Sequence, residues 1–304
     1  MSEYGGMLGA ALLLSGGLFA ALLPRGRRWA FPLTMGLATV CGLVLSRLVF
    51  WLCNAELYLG QLKDFSSLFR IPDGGLSMTG ALLGAGIGCA LASRMMKGSG
   101  LTFPELADAL APAAALFIAC ERCHEWILLK QNYGLDLAAI PVITAEGPFG
   151  PVLNTARISS LTALAILAAL LAVRRKRPGD RAMLFLLLYS GGQVLLESLR
   201  QDLHMQWNFV HAQQLFAFLT LTAAMIFLSA GRKGKIRSLI VSLLAAGAIV
   251  FLEFALDGRV RPPFAFMTGN VKLWWYIVFA AVLAAYLAYG LNLWKSWRKE
   301  GTSP

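Results

Sequence analysis

The sequence predicts an all-α integral membrane protein of about nine transmembrane helices, N-terminus outside and C-terminus cytoplasmic. Three observations predict it. Of the 304 residues, 58% are hydrophobic and 14% charged, whereas soluble domains run near roughly 45–50% apolar and 25% charged. The apolar residues gather into successive runs, each close to the roughly 20 residues that cross a hydrocarbon core. Basic residues alternate between rich and poor loops, as the positive-inside rule requires.

The runs lie at roughly 6–23, 31–53, 76–95, 104–129, 158–173, 182–200, 213–230, 238–256 and 273–294. Met1-Ser2-Glu3-Tyr4 lacks the basic stretch of a signal peptide, so the first run is expected to be a retained helix. The fourth is long and carries Pro104 and Pro112, which predict a bend. The fifth is short and is expected to extend into its flanks. Thirty glycines suit close helix contacts in lipid. Arg25, Arg27 and Arg28 follow the first run, and Arg94 and Lys97 the third. Arg174 to Arg177, with Lys176 among them, and Arg181 follow the fifth. Arg232, Lys233, Lys235 and Arg237 follow the seventh, and Lys295, Arg298 and Lys299 the ninth. The formal net charge of +11 is thus spent on topology, and nucleic acid is not an expected partner. The longer outer loops, 54–75, 130–157, 201–212 and 257–272, are expected to carry function.

Charges nevertheless fall inside the runs. A charge at the centre of a membrane helix costs about 2.5–3.5 kcal/mol on insertion scales, so it needs a partner or a task. Helix 4 carries Glu121, Arg122, His124 and Glu125 near its outer end. Glu121, Arg122 and Glu125 share an arc of roughly 100°. Helix 6 carries Gln193, Glu197 and Arg200 at i, i+4 and i+7, one stripe. Arg47 lies in helix 2 and Glu253 in helix 8, where Glu253 stands apart and reads as structural. One reading is ion pairs that fix register, Arg122 with Glu197 or Arg47 with Glu125. The other is a polar chamber opening outward, its arginines binding an anionic group that a guanidinium fork suits. Several charges at one depth favour the chamber. Asp73-Gly74-Gly75-Leu76-Ser77-Met78-Thr79-Gly80-Ala81 opens helix 3. Its glycines mark either a turn or a place where a headgroup approaches exposed N–H groups.

Cys120-Glu121-Arg122-Cys123-His124 matches C-x-x-C-H, a c-type haem attachment pattern. The run sits inside an apolar span, so packing is the expected role of both cysteines. A haem or a metal site on Cys120, Cys123 and His124 is the lesser alternative. Cys41, Cys53 and Cys89 read as small packing residues. Asp202, His204, Trp207 and His211 gather in an outer loop, where Trp anchors at the interface and either histidine suits a general base.

In series, these segments resemble one family, prolipoprotein diacylglyceryl transferase, a bacterial cytoplasmic (inner) membrane enzyme. Val44-Leu45-Ser46-Arg47 is similar to its G-G-R segment, and Asp73 to Gly80 to D-G-G-L/M-S-F-H-G. Asp108-Ala109-Leu110-Ala111-Pro112 resembles D-x-x-A-P, Arg122 falls at the arginine of G-R-x-G-N, and Glu197-Ser198-Leu199-Arg200 resembles V-E-F-F-R. Gln214 falls where the family has G-Q. Thr79 stands in place of a histidine, Glu121 of a glycine, Glu125 of an asparagine and Gln193 of an arginine, and H-P-x-Q-L-Y-E has no counterpart. The resemblance implies a seven-helix core over 1–230 with two additional helices over 231–304. It implies transfer of a diacylglyceryl group from phosphatidylglycerol to the thiol of a lipoprotein precursor or a related acceptor, without a cofactor or metal. Arg122, Arg47 and Arg200 would then hold phosphate, and Glu125, Glu197, His124 or His204 would be the base. Gly75, Thr79, Gly80, Gln193 and Gln214 would line the lipid headgroup. The departures leave open a non-catalytic relative that binds a lipid or partner.

Overall fold

The computed structural model describes residues 2–61, 65–69, 75–125, 127, 134, 143–147, 150–200, 205–207, 210–256 and 271–300. They fall into two compact units, Met1–Phe185 and Leu186–Pro304. The described residues form nine α-helices: α1 (Ser2–Leu22), α2 (Phe31–Cys53), α3 (Met78–Met95), α4 (Phe103–His124), α5 (Thr155–Ala172), α6 (Asp180–Ser198), α7 (Ala212–Leu228), α8 (Gly231–Leu256) and α9 (Val271–Glu300). Two short hairpins join them, β1 (Thr144–Gly147) with β2 (Gly150–Leu153) and β3 (Gln206–Trp207) with β4 (Val210–His211).

Among the described residues, six helical stretches are long and apolar enough to cross a membrane, those of α2, α3, α4, α5, α8 and α9, so the chain is an all-α integral membrane protein. Nine were expected from the runs. α7 is shorter, at 17 residues, and α6 carries Asp180, Arg181 and Glu197 within its 19. Large apolar side chains point outward along the spans, among them Val44, Leu83, Leu164 and Leu244, the last 70% exposed, as lipid contact requires.

In the first unit, α2 and α3 lie backbone to backbone. A Cβ at Gly80 would come within 2.5 Å of the Leu45 carbonyl oxygen, and Cβ atoms at Gly84 and Gly88 would overlap the Cys41 and Leu37 carbonyls. Glycine at every fourth position removes the side chains that would hold the axes apart, the usual device where no hydrophobic force drives helices together in lipid. Two bonds lock the register: Ser46 Oγ donates to the Ser77 carbonyl at 2.8 Å, and the Ser77 N–H donates to the Ser46 carbonyl at 3.1 Å. Ser160 Oγ on α5 donates to the Ala119 carbonyl of α4 at 2.8 Å. Pro112 is accommodated inside α4, and Pro104 sits in its first turn, where no N–H is needed.

Asp108 closes the other end of this unit. Buried at 2% exposure, it accepts the N–H groups of Gly179 (2.9 Å), Arg181 (2.8 Å) and Ala182 (3.1 Å) and pairs with Arg175 Nε at 2.9 Å. It therefore caps the start of α6 with a carboxylate from α4, satisfying donors the helix itself cannot.

In the second unit, hydroxyl and amide bonds run between helices. Tyr286 of α9 bonds Thr222 of α7 at 3.0 Å and Ser242 of α8 at 2.6 Å. Ser238 bonds Ser229 at 2.5 Å and Tyr289 at 2.9 Å. Tyr276 of α9 donates to the Ser198 carbonyl at the end of α6 at 2.9 Å. Measured interhelical polar bonds in lipid average about 0.6 kcal/mol, so the seam is held by their number together with close packing.

Candidate functional site

The sequence-derived residues resolve into two polar groups, one in each unit. In the first, Arg47 stands near the end of α2, 3% exposed. Its guanidinium donates to three backbone carbonyls, Leu68 at 3.2 Å, Gly75 at 3.0 Å and Ser67. Trp51 Nε1 donates to Ser67 Oγ at 2.9 Å beside it. Ser67 and Leu68 belong to a short 3-10 turn, Phe65–Phe69, and the arginine supplies donors to its carbonyls and to that of Gly75. Gly75 adopts φ +77°, and a Cβ on it would fall into the Phe50 ring, so glycine is required twice over. Thr79, half-buried, and Gly80 follow in the first turn of α3, where Ser77 Oγ accepts the Gly80 N–H at 3.3 Å. The room a side chain at Gly80 would occupy is taken by α2.

Arg122, 8% exposed, sits in the last turn of α4. Its Nη1 pairs with Glu125 and its Nε lies 3.5 Å from Glu121 Oε2. The shared arc read from the sequence is thus an ion-paired triad. The same unit holds a cavity of about 210 Å³ among α1 to α4, lined by Leu12, Met35, Leu43, Leu82, Phe117 and further apolar side chains. An apolar cavity of about 150 Å³ stays dry and accepts benzene, so this one accommodates a segment of hydrocarbon. Arg122 follows the lining residue Phe117 by five positions, roughly 7.5 Å along the helix and about 140° around it. Arg47 follows the lining residue Ser46, and Leu76 and Met78 also line the cavity.

The second group is the α6 stripe. Gln193 Nε2 donates to Glu197 Oε1 at 2.5 Å. Glu197, 2% exposed, has Arg200 Nη1 at 3.8 Å and His211 Nδ1 at 3.9 Å. His211, 6% exposed, precedes α7. Gln214 uses Nε2 twice, donating to the Val194 carbonyl at 3.2 Å and to Glu253 Oε1 at 2.6 Å. Glu253 does not stand apart as its position in the sequence suggested; the turn of α8 that carries it packs against Gln214. His204, Asp202, Asp73 and Gly74 lie outside the described residues. Among the described residues His211, weighed beside His204 on sequence, meets Glu197. The bonds of Arg47 to the loop had no sequence signal, since backbone carbonyls carry none.

A model of the prolipoprotein diacylglyceryl transferase family matches residues 1–230. The chain belongs to that family. Among similar proteins, the phosphatidylglycerol–prolipoprotein diacylglyceryl transferase of Frankia alni is 28% identical over 217 residues, 63% of this chain and 54% of that protein. Transferase 1 of Streptomyces coelicolor is 30% identical over 210 residues, 64% of this chain and 60% of that one. A Streptomyces griseus transferase is 32% identical over 182 residues, 57% and 52%. The matched part of the chain spans between half and three fifths of these prolipoprotein diacylglyceryl transferases. The match ends one residue before α8 begins, whereas the compact units divide within α6. Among the described residues no group of three or more His, Cys, Asp and Glu side chains is placed to hold a metal; Cys120 and Cys123 are both free thiols.

Proposed function

We propose that this chain is a lipid-modifying transferase of the bacterial cytoplasmic membrane. It moves a diacylglyceryl group from phosphatidylglycerol to the cysteine thiol of a lipoprotein precursor. The observation that carries the reading is the family match, which spans every residue given a role below. In the reaction the thiol sulfur forms a bond to the glyceryl carbon while the bond from that carbon to the phosphate oxygen breaks. Glycerol phosphate leaves and the thiol proton passes to a base.

Hydrocarbon of the donor enters the apolar cavity of α1 to α4. Arg122 takes the phosphate, exchanging its carboxylate partners for it, and stabilises the charge that grows on the leaving group. Glu125 and Glu121 hold that guanidinium ready until then. In the second unit Arg200 lies beside Glu197; in the first, Arg47 fixes the segment ahead of α3, where Gly75, Thr79 and Gly80 form the helix start. Glu197, backed by His211, accepts the thiol proton; Gln193 orients its carboxylate. Glu125, His204 and His124 are the other bases the sequence offers. Residues 1–230 act as the transferase core and 231–304 as two added helices. The charge pattern supports an N-terminus outside and a C-terminus in the cytoplasm, with α1, α6 and α7 also crossing to make nine spans.

A second reading, a lipid- or partner-binding relative without transferase activity, is favoured by one observation. Arg122 is already neutralised by Glu125, where the family carries an uncharged asparagine. Expression in cells depleted of their own transferase separates the two. The transferase reading predicts restored growth and acylated lipoprotein, lost again in Arg122→Ala. Membrane-inserted protein that binds phosphatidylglycerol without restoring acylation establishes the second reading instead.

A further inference from the structure

The apolar cavity of the first unit has a floor. Its lining runs from Met35 to Ser46 on α2, from Met78 to Ala85 on α3 and from Leu110 to Phe117 on α4. α3 is antiparallel to α2: Ser77 meets Ser46 at one end, and Gly88 presses on Leu37 at the other. Met35 and Leu110 pack against the closed core that holds Phe19, Cys89 and Leu106, and the lining residue Ala113 is part of that core. Cys89 lies one turn beyond Ala85 on α3, so Ala85 marks the same end. The floor reaches α1 as well, since Met35 Cε comes within 3.6 Å of where a Cβ on Gly16 would lie. Higher up, the lining residue Leu43 is 38% exposed and adjoins Val44 on the lipid-facing surface. The cavity is therefore continuous with the surface that lipid covers and blind toward the core.

Its dimensions and chemistry select the occupant. Met35 to Ser46 spans about 16 Å of helix, close to one leaflet of a hydrocarbon core some 30 Å thick. On the scale of the benzene-sized cavity, 210 Å³ holds about eight carbons, part of one acyl chain and not two. Two of the lining hydroxyls are already engaged, Ser15 Oγ donating to the Leu12 carbonyl and Ser46 Oγ to the Ser77 carbonyl. A peptide would bring backbone groups that need partners here, and a helix about 10 Å across does not fit. We infer that the cavity is a blind slot that measures the length of one acyl chain of the donor lipid, with Met35 and Ala85 setting its depth. This rests on the transferase reading for the headgroup, which stays outside the slot. Moving a chain from bilayer to slot gains no hydrophobic energy, because both surroundings are hydrocarbon. Fit decides instead: a short chain leaves a void above the floor, and a long one must crowd against it.

The test uses the full-length protein in vesicles of an equimolar mixture of phosphatidylglycerols that differ only in acyl length. The protein is extracted and its bound lipid read by native mass spectrometry. Wild type is expected to show one preferred length, with each methylene of misfit costing about three-fold in relative occupancy. Met35→Ala deepens the slot and is expected to move the optimum to longer chains. Ala85→Leu fills it and is expected to move the optimum to shorter ones. Opposite shifts are not what general destabilisation produces. A flat wild-type profile overturns the inference, as do two variants whose optima stay in place or move together. Should Met35→Ala fail to insert, Ala114→Leu, which fills the slot from α4, joins Ala85→Leu; both must then favour shorter chains, and an unmoved optimum in either overturns the inference. Transfer to a precursor peptide is scored separately on the same preparations. A protein that transfers with a flat length profile fails only the inference. One with the length optimum but no transfer fails only the transferase reading.

Discussion

Arg122 carries more charge balance than a phosphate clamp needs at rest, since Glu125 and Glu121 both face it. Phosphate must displace carboxylates of like charge, so binding is expected to depend on releasing Glu125. Arg122→Ala is expected to reduce transfer by about 100-fold or more, the scale of losing one charge-stabilising donor group. Arg122→Lys is expected to recover only part, because an ammonium lacks the bidentate fork; initial rates on labelled phosphatidylglycerol check both. Asp108 makes a different claim. Asp108→Ala strands three N–H groups and Arg175, and is expected to destabilise the protein by about 3 kcal/mol, read as a lowered melting temperature in detergent. At this scale the sequence is legible where partners lie within a helical turn or two. The spacing of Gln193, Glu197 and Arg200 puts them on one stripe, and in the structure Gln193 and Arg200 both face Glu197, whereas Arg122, paired with Glu197 in one reading of the sequence, meets Glu121 and Glu125. Gln214 and Glu253 are 39 positions apart, and nothing in two apolar helices announces which polar residues will face one another. Arg47 was legible as a buried charge needing partners, but three of those it meets are backbone carbonyls, which every residue has.

Among the elements, α2 and α3 depend most on single positions. Gly80, Gly84 and Gly88 press on α2 carbonyls, and a branched side chain has nowhere to go. Gly84→Val is expected to separate the helices and destabilise the fold by about 2 kcal/mol or more, whereas Gly86→Ala, with open space where its Cβ would lie, is expected to be neutral. Paired thermal melts of the two variants check this. Because many of the cavity-lining residues, among them Met35, Leu43 and Leu82, sit on these two helices, Gly84→Val is also expected to weaken lipid binding. The helices were legible as apolar runs, with ends displaced by several residues. α8 begins at Gly231 and α9 runs to Glu300, taking in basic residues that the hydropathy assigned to loops. Long basic side chains allow this, since their stems lie along the helix while the heads reach the interface. The β1–β2 and β3–β4 hairpins were not foreseen, because two- and four-residue strands lack enough alternation to register.

At the scale of the molecule, the family match and the compact units divide the chain differently. The match stops at residue 230, but Thr222, Ser229 and Gln214 satisfy their side chains on α8 and α9. A chain ended at residue 230 is therefore expected to lose its second unit's packing and to be degraded in the membrane, which pulse-chase of the truncated and full-length proteins will show. The membrane class was legible from composition alone, since few folds tolerate so little charge. The family was legible from the order of weak motifs along 1–230. The central assignment is transfer of a diacylglyceryl group to a thiol. Its most direct test is incubation of the purified full-length protein with phosphatidylglycerol labelled in its acyl chains and a lipoprotein-precursor peptide bearing one cysteine. Label is expected to appear on the peptide through a thioether, with release of glycerol phosphate in equal amount and loss of both in Glu197→Ala. Labelled lipid bound to the protein, with the peptide thiol left unmodified under conditions where a bacterial transferase modifies it, would contradict the assignment.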